Sequence, residues 1–137
     1  MKQTMIRRFA LLPAVLMMLA IFWLSSRTSN ELNSVLPWFQ ELFPSMSNFD
    51  WGHFIAYFAL GLSYAYGFGR HAGRPSVKAF IILLCVVYGL TDEYHQSFVA
   101  GRTPDLSDLL HDGIGAGLAM LLLTIPQVFK LWRKLAV

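Results

Sequence analysis

Four apolar stretches separated by polar connectors organise this chain. The first covers residues 5–26, and its stretch from Phe9 to Leu24 carries no charge, close to the roughly 20 residues a helix needs to cross the hydrocarbon of a bilayer. The second covers about residues 50–69. The third covers residues 76–98, but its strictly apolar part, Ala79 to Leu90, is only about twelve residues long, so a full crossing requires the helix to carry Asp92, Glu93 and His95 in its outer turns. Ionisable groups at that depth are costly unless they pair or face a cavity. The fourth stretch, residues 104–125, opens on Thr103 as N-cap, Pro104 at the first helical position and Asp105 in the first turn, and runs to the residue before Pro126. The pattern predicts an all-α integral membrane protein, a four-transmembrane-helix bundle in a single domain spanning residues 1–137.

The connector between the first two stretches, about 23 residues, is long for a simple loop. Its Leu32, Val35, Leu36, Phe39, Leu42 and Phe43 recur at helical spacing, and Pro37 is expected to break or restart the helix. A segment of this kind lies on a membrane surface with its apolar face down, where it would form a lid over whatever the third and fourth helices present. Gly113, Ala116, Gly117 and Ala119 on the fourth helix, and Gly61 and Ala65 on the second, predict close helix packing. Trp23, Trp38 and Trp51 at one boundary and Trp132 at the other form aromatic belts.

Charge orients this bundle. Lys2, Arg7 and Arg8 precede the first stretch, Arg70, Arg74 and Lys78 lie between the second and third, and Lys130, Arg133 and Lys134 follow the fourth. The acidic residues gather at the other ends: Glu31, Glu41 and Asp50 at the first outer connector, and Asp92, Glu93, Asp105, Asp108 and Asp112 at the second. Lys and Arg are retained on the cytoplasmic side, so both termini are expected inside and the acidic connectors outside. The first stretch reads as a signal anchor: it exceeds a typical signal-peptide core, and Ser25-Ser26-Arg27 is a poor cleavage site.

Composition supports this placement. With 55% hydrophobic and 14% charged residues, a chain of 137 residues is too apolar for an ordinary soluble domain. The net charge of +3 comes from basic residues flanking the apolar stretches, where they meet lipid headgroups, and no nucleic-acid partner is expected. Cys85, the single cysteine, lies within an apolar run and has no disulfide partner in the chain.

Three helices bring polar side chains to one depth on the acidic side. On the second, Asp50, His53 and Tyr57 stand three and four apart; on the third, Tyr88, Asp92 and Gln96 stand four apart, with Glu93 and His95 beside them; Arg102 precedes the fourth, which carries Asp105, Asp108, His111 and Asp112. The candidate catalytic residues are His53, Asp92, Glu93, His95 and Arg102, and the candidate binding residues are Tyr57, Gln96, Asp105 and Asp108. Several chemistries fit. In a structural network, Arg102 pairs with carboxylates through its planar fork, but one arginine does not neutralise five acids. His53, His95 and His111 with Asp92, Glu93, Asp105 and Asp108 offer donors suited to zinc, manganese or calcium, although no compact His-x-x-x-His spacing is present. An acid–base site would use His95 beside a carboxylate, with Arg102 at the helix start receiving a phosphate. Ser25 and Ser26 lack the glycine elbow of a serine nucleophile, and four short helices without repeats do not make a transporter as a monomer. His53 is expected within direct or water-bridged reach of Asp92, Glu93 or His95, and Arg102 is expected to be held by Glu93 or Asp108.

The stretch from Tyr88 through Asp92-Glu93-Tyr94-His95-Gln96 to Gly101-Arg102, followed by Asp108 and Gly115, resembles the signature of the VanZ-like family of small membrane proteins. His53-Phe54-Ile55-Ala56-Tyr57 and Ser25-Ser26 match its other recurring features, and the resemblance covers the chain from about Leu24 to Ala119. Two positions depart from the family pattern. Phe49-Asp50-Trp51-Gly52 supplies an Asp where the family often has Asp-Lys, and Asp112 stands where it often has Asn. The founding member is associated with lowered susceptibility to teicoplanin. The resemblance therefore implies a cell-envelope role. The charge pattern places the protein in the bacterial cytoplasmic membrane, and the polar site beside lipid makes membrane lipids and a lipid-linked envelope precursor the expected partners. The reading is an outward-facing site that binds, and in the catalytic version modifies, a lipid-linked or headgroup-bearing ligand; the alternative is a non-catalytic partner-binding or structural module. Cofactor, metal and oligomeric state stay open at this point.

Overall fold

The computed structural model of the chain describes residues 9–45 and 50–136; Lys2, Arg7, Arg8, residues 5–8 of the first expected span, and Phe49 lie outside them. Among the described residues six α-helices follow one another: α1 Leu12–Ser25, α2 Ser29–Leu42, α3 Asp50–Phe68, α4 Pro75–Gln96, α5 Leu106–Leu122 and α6 Pro126–Leu135, with a 3₁₀ turn at Gly69–Gly73 between α3 and α4. Among the described residues there is no strand.

Helix α1 is apolar around its whole circumference and has Pro13 in its first turn, where no intrahelical N–H is needed. It ends just before a reciprocal cap. Thr28 accepts from the Glu31 amide, and the Glu31 carboxylate accepts from the Thr28 amide at 2.8 Å. These two hydrogen bonds satisfy donors at the start of α2 and hold the Glu31 carboxyl below the usual carboxylate range. The chain bends by 106° there, so α2 runs across the end of the bundle. Pro37 does not break α2, contrary to the sequence expectation. A proline inside a helix removes one hydrogen bond and strains the preceding turn; the cap and the inward docking of Leu32, Val35 and Phe39 hold the helix through it.

Helix α5 begins two residues later than Thr103-Pro104 suggested. The N-cap is Asp105, whose Oδ1 accepts from the Ser107 amide at 2.8 Å, while Thr103 and Pro104 lie outside the helix. At its other end the chain turns by 94° into α6, because Ile125, preceding Pro126, is extended and Pro126 sits in the first turn of a new helix. The amphipathic α6 presses Val128, Phe129 and Trp132 against the core and carries Lys130, Arg133 and Lys134.

Helices α3 and α5 make the tightest pair. A Cβ on Gly115 would stand 2.5 Å from the Phe54 carbonyl oxygen, and one on Gly61 would stand 3.3 Å from the Ala119 methyl. Gly117, expected on the packing face, meets open space instead. The core gathers Ile21, Tyr57, Leu60, Ile81, Cys85, Met120 and Leu123. Outside it, Leu16, Leu19, Ile55, Leu83, Val87, Leu90, Leu118 and Leu121 are exposed, an apolar surface that water does not favour but lipid does. Helix α4, 22 residues, is by itself long and apolar enough to cross a membrane; α1 with α2, and α5 with α6, meet that test only as bent pairs.

The bundle has two chemically distinct ends. At one, Lys78 donates to the Leu123 carbonyl at 3.2 Å, and Gly73 packs under Phe129. At the other, the Ser29 hydroxyl donates to the Gly101 carbonyl and ties α2 to the α4–α5 connector. Gly101, with φ +74°, lets the connector make its turn.

Candidate functional site

Polar side chains from α3, α4 and α5 converge beneath α2, and His53 stands at their centre. Its Nδ1 lies 2.8 Å from Oδ1 of Asp112, and its Nε2 lies 3.5 Å from Oδ2 of Asp108. Asp112 is fully buried. Its other oxygen packs directly against Gly89 of α4, in space any side chain at that position would occupy. The short Nδ1 contact makes that nitrogen the donor to the carboxylate and leaves Nε2 facing Asp108. Asp108 is flanked on its other side by His111, whose Nδ1 is 3.6 Å from Oδ1. The His111 ring in turn packs on Phe54 at 4.6 Å.

Glu93 approaches from α4. Its Oε2 accepts from the Asp105 amide at 2.8 Å, which joins the end of α4 to the start of α5, while its buried Oε1 has no hydrogen-bond partner. His53, Glu93 and Asp108 each offer one nitrogen or oxygen within 4.8 Å of the others. His53 and Glu93 therefore approach each other to the distance expected from their common depth on neighbouring helices.

Arg102 departs from its expected role. It makes no ion pair with Glu93 or Asp108; among the described residues its Nη2 donates to Oε1 of Gln96 at 2.6 Å, and Gln96 donates through Nε2 to Oδ2 of Asp92 at 3.1 Å. The physical reason is local. The connector turns tightly after α4, with the Arg102 amide donating to the Val99 carbonyl at 3.1 Å, which returns the guanidinium to the last turn of its own helix. Glu93, the expected partner, is engaged by the Asp105 amide.

The Arg102–Gln96–Asp92 chain closes one end of a pocket of about 360 Å³. Met17, Ile21 and Leu24 of α1, Leu32, Val35 and Phe39 of α2, and Ile55 and Ala56 of α3 supply apolar walls, while His53, Tyr57, Asp92, Gln96 and Arg102 supply the polar end. The Tyr57 hydroxyl and Oδ1 of Asp92 are buried there without hydrogen-bond partners. Leaving such groups unpaired costs about 1–3 kcal/mol each.

Of the residues singled out from sequence, His53, Glu93 and Asp108 come together as one group, and Tyr57, Asp92, Gln96 and Arg102 as a second that shares His53. Asp105 caps α5. His95 lies apart, stacked on Phe22 at 4.3 Å. Asp112 was not among the candidate site residues, yet it is the fully buried anchor of His53. Its signal was its position one turn beyond Asp108, inside the apolar part of the helix, where a carboxylate requires a partner. Gly89, whose missing side chain makes room for it, was also passed over.

No curated protein and no solved structure matches this chain. A family model described as VanZ/LLP1 matches residues 9–129, from the start of the described structure into α6 and through every element that lines the site. The chain belongs to the VanZ/LLP1 family, and with its apolar helices it is a membrane protein.

Proposed function

We propose that this is a multi-pass protein of the bacterial cytoplasmic membrane that binds a lipid or lipid-linked envelope precursor at the outer surface, with the acyl portion against α1–α3 and the headgroup at Arg102, Gln96, Asp92 and Tyr57. The observation that carries this reading is the pocket itself: apolar walls, one polar end, and two buried groups there without partners. Small-molecule sites have this division between extensive apolar lining and a few directed polar groups. Arg102 keeps donors beyond the one given to Gln96, and a guanidinium suits a phosphate or carboxylate oxygen.

Four crossings, by α1, α3, α4 and α5, agree with the charge pattern. Arg70, Arg74, Lys78, Lys130, Arg133 and Lys134 belong to one end, which the positive-inside rule makes cytoplasmic, and the site belongs to the other. α6 fits an interfacial helix on the inner side and α2 a lid on the outer. Sequestering an envelope precursor beneath that lid would alter its access to a glycopeptide, in keeping with the association the family resemblance carries.

Native mass spectrometry of protein released from membranes tests the binding. A single lipid class should remain on the wild type and be lost from Ala56→Trp, which fills the pocket, while the variant still melts cooperatively. A wild type that carries no lipid, or a heterogeneous set unaffected by Ala56→Trp, would overturn the reading. A second reading, a structural module, is favoured by one observation: Glu93 to Asp105 and His53 to Asp112 tie the helices directly to one another. It expects an empty pocket and the same stability losses.

A further inference from the structure

We propose that His53, Glu93 and Asp108 form a divalent-metal site of the zinc or manganese type, with Asp112 as its positioning residue. The inference goes beyond the lipid-binding reading and does not depend on it.

Three observations support it. First, the three residues come from three different helices, yet each places a donor atom within 4.8 Å of the others. Two ligands bound to zinc at about 2.0 to 2.2 Å with a tetrahedral angle stand about 3.3 to 3.6 Å apart, and the Nε2 of His53 already lies 3.5 Å from Oδ2 of Asp108. That separation is long for a hydrogen bond and right for two ligands of one ion.

Second, His53 is held as metal-binding histidines are. Its Nδ1 is committed to the buried Asp112 carboxylate at 2.8 Å, which fixes the tautomer and leaves the Nε2 lone pair facing Asp108. Carboxylate–histidine pairs of this form orient the ring and raise its basicity in metal sites.

Third, Glu93 is only 5% exposed, and its Oε1 has no hydrogen-bond partner, the other oxygen being taken by the Asp105 amide. A neutral imidazole presenting its lone pair to the Asp108 carboxylate, with the Glu93 carboxylate within 4.8 Å, is repulsive; a dication offsets both charges and can satisfy the unpaired oxygen. One imidazole with two carboxylates selects zinc or manganese over calcium and magnesium, which favour all-oxygen shells. Three protein ligands leave a coordination position for water or an anionic ligand oxygen.

The test uses the full chain in detergent, stripped with EDTA, then titrated calorimetrically with ZnCl₂ and with MnCl₂, with bound metal measured by elemental mass spectrometry after desalting. The wild type should hold one equivalent of at least one of these metals. Glu93→Gln and Asp108→Asn should each weaken binding at least about tenfold, and Asp112→Asn by about 10- to 100-fold, while His71→Ala, in the turn at the opposite end, should bind as wild type. Cobalt(II) should give visible d–d absorption in the wild type that Asp108→Asn abolishes. Wild-type protein holding less than about a tenth of an equivalent of both metals would overturn the site whatever the variants do. Equal affinity in wild type, Glu93→Gln and Asp108→Asn would overturn it as well. Lipid content, read separately by native mass spectrometry, distinguishes failure of this site from failure of the pocket reading.

Discussion

Replacing His53 with alanine should be among the most damaging single changes in this protein. His53 is 13% exposed and Asp112 is 0% exposed, and they meet at 2.8 Å, so the pair falls in the buried regime. Exposed ion pairs are worth about 0–1 kcal/mol, whereas removing one member of a buried pair costs about 3–5 kcal/mol because the other is left uncompensated. Asp112 has nowhere to turn: its second oxygen is already against Gly89 and lacks a partner. His53→Ala should therefore cost about 3–5 kcal/mol in SDS-titrated unfolding from mixed micelles, with EDTA present so that no metal contributes. The double variant His53→Leu/Asp112→Leu should recover most of that loss, since apolar replacement of both partners is often close to neutral. A single variant within about 1 kcal/mol of wild type, the range of an exposed pair, would refute the reasoning, as would a double variant no better than the single one.

Gly115→Ala should cost about 1–3 kcal/mol in the same unfolding assay, since its methyl would stand 2.5 Å from the Phe54 carbonyl and force α3 from α5. Arg102→Ala should cost about 1.5–3 kcal/mol, the worth of a hydrogen bond from its charged guanidinium to Gln96, while markedly lowering lipid retention; a loss well above about 3 kcal/mol would restore the buried ion pair expected from sequence. Ser29→Ala, which releases α2 from the Gly101 carbonyl, should speed lipid exchange without changing which lipid is bound. Glu31 has a lowered folded-state pKa, so its cap on α2 is in place above the ordinary value of 4.5 and is lost as pH falls through the lowered one; the protection of α2 amides, referred to the intrinsic exchange rate at each pH, should fall on acidification in wild type and be low already at neutral pH in Glu31→Ala.

The helices were legible because hydrophobic periodicity and charge act locally, and α3 and α4 end within two residues of their expected limits. Where the sequence reading slipped, a tertiary contact decided. Thr103-Pro104 has the form of a helix start, but Glu93 captures the Asp105 amide and Asp105 becomes the cap. Pro126 was read as a stop, whereas the amphipathic residues after it form α6 against the core. His95 and Asp92 are three residues apart, yet α1 flanks one side of α4 and α5 the other, so that rotation carries His95 to Phe22 and leaves Asp92 at the pocket. A partner for the acids was expected in Arg102, whereas His53 is the side chain that meets the buried Asp112, because sequence separation hides which side chain reaches the buried carboxylate.

Photo-crosslinking tests the central claim, an outward pocket that holds a lipid, most directly. A lipid carrying a diazirine on its acyl chain is incorporated into membranes containing the wild-type protein, irradiated, and its attachment sites are mapped by peptide mass spectrometry. Labelling should concentrate on Met17, Ile21, Leu24, Val35 and Ala56, which line the pocket, and should fall away in Ala56→Trp. Labelling confined to the exposed outer residues Leu16, Leu83 and Leu121, with the pocket residues unmarked, would contradict it.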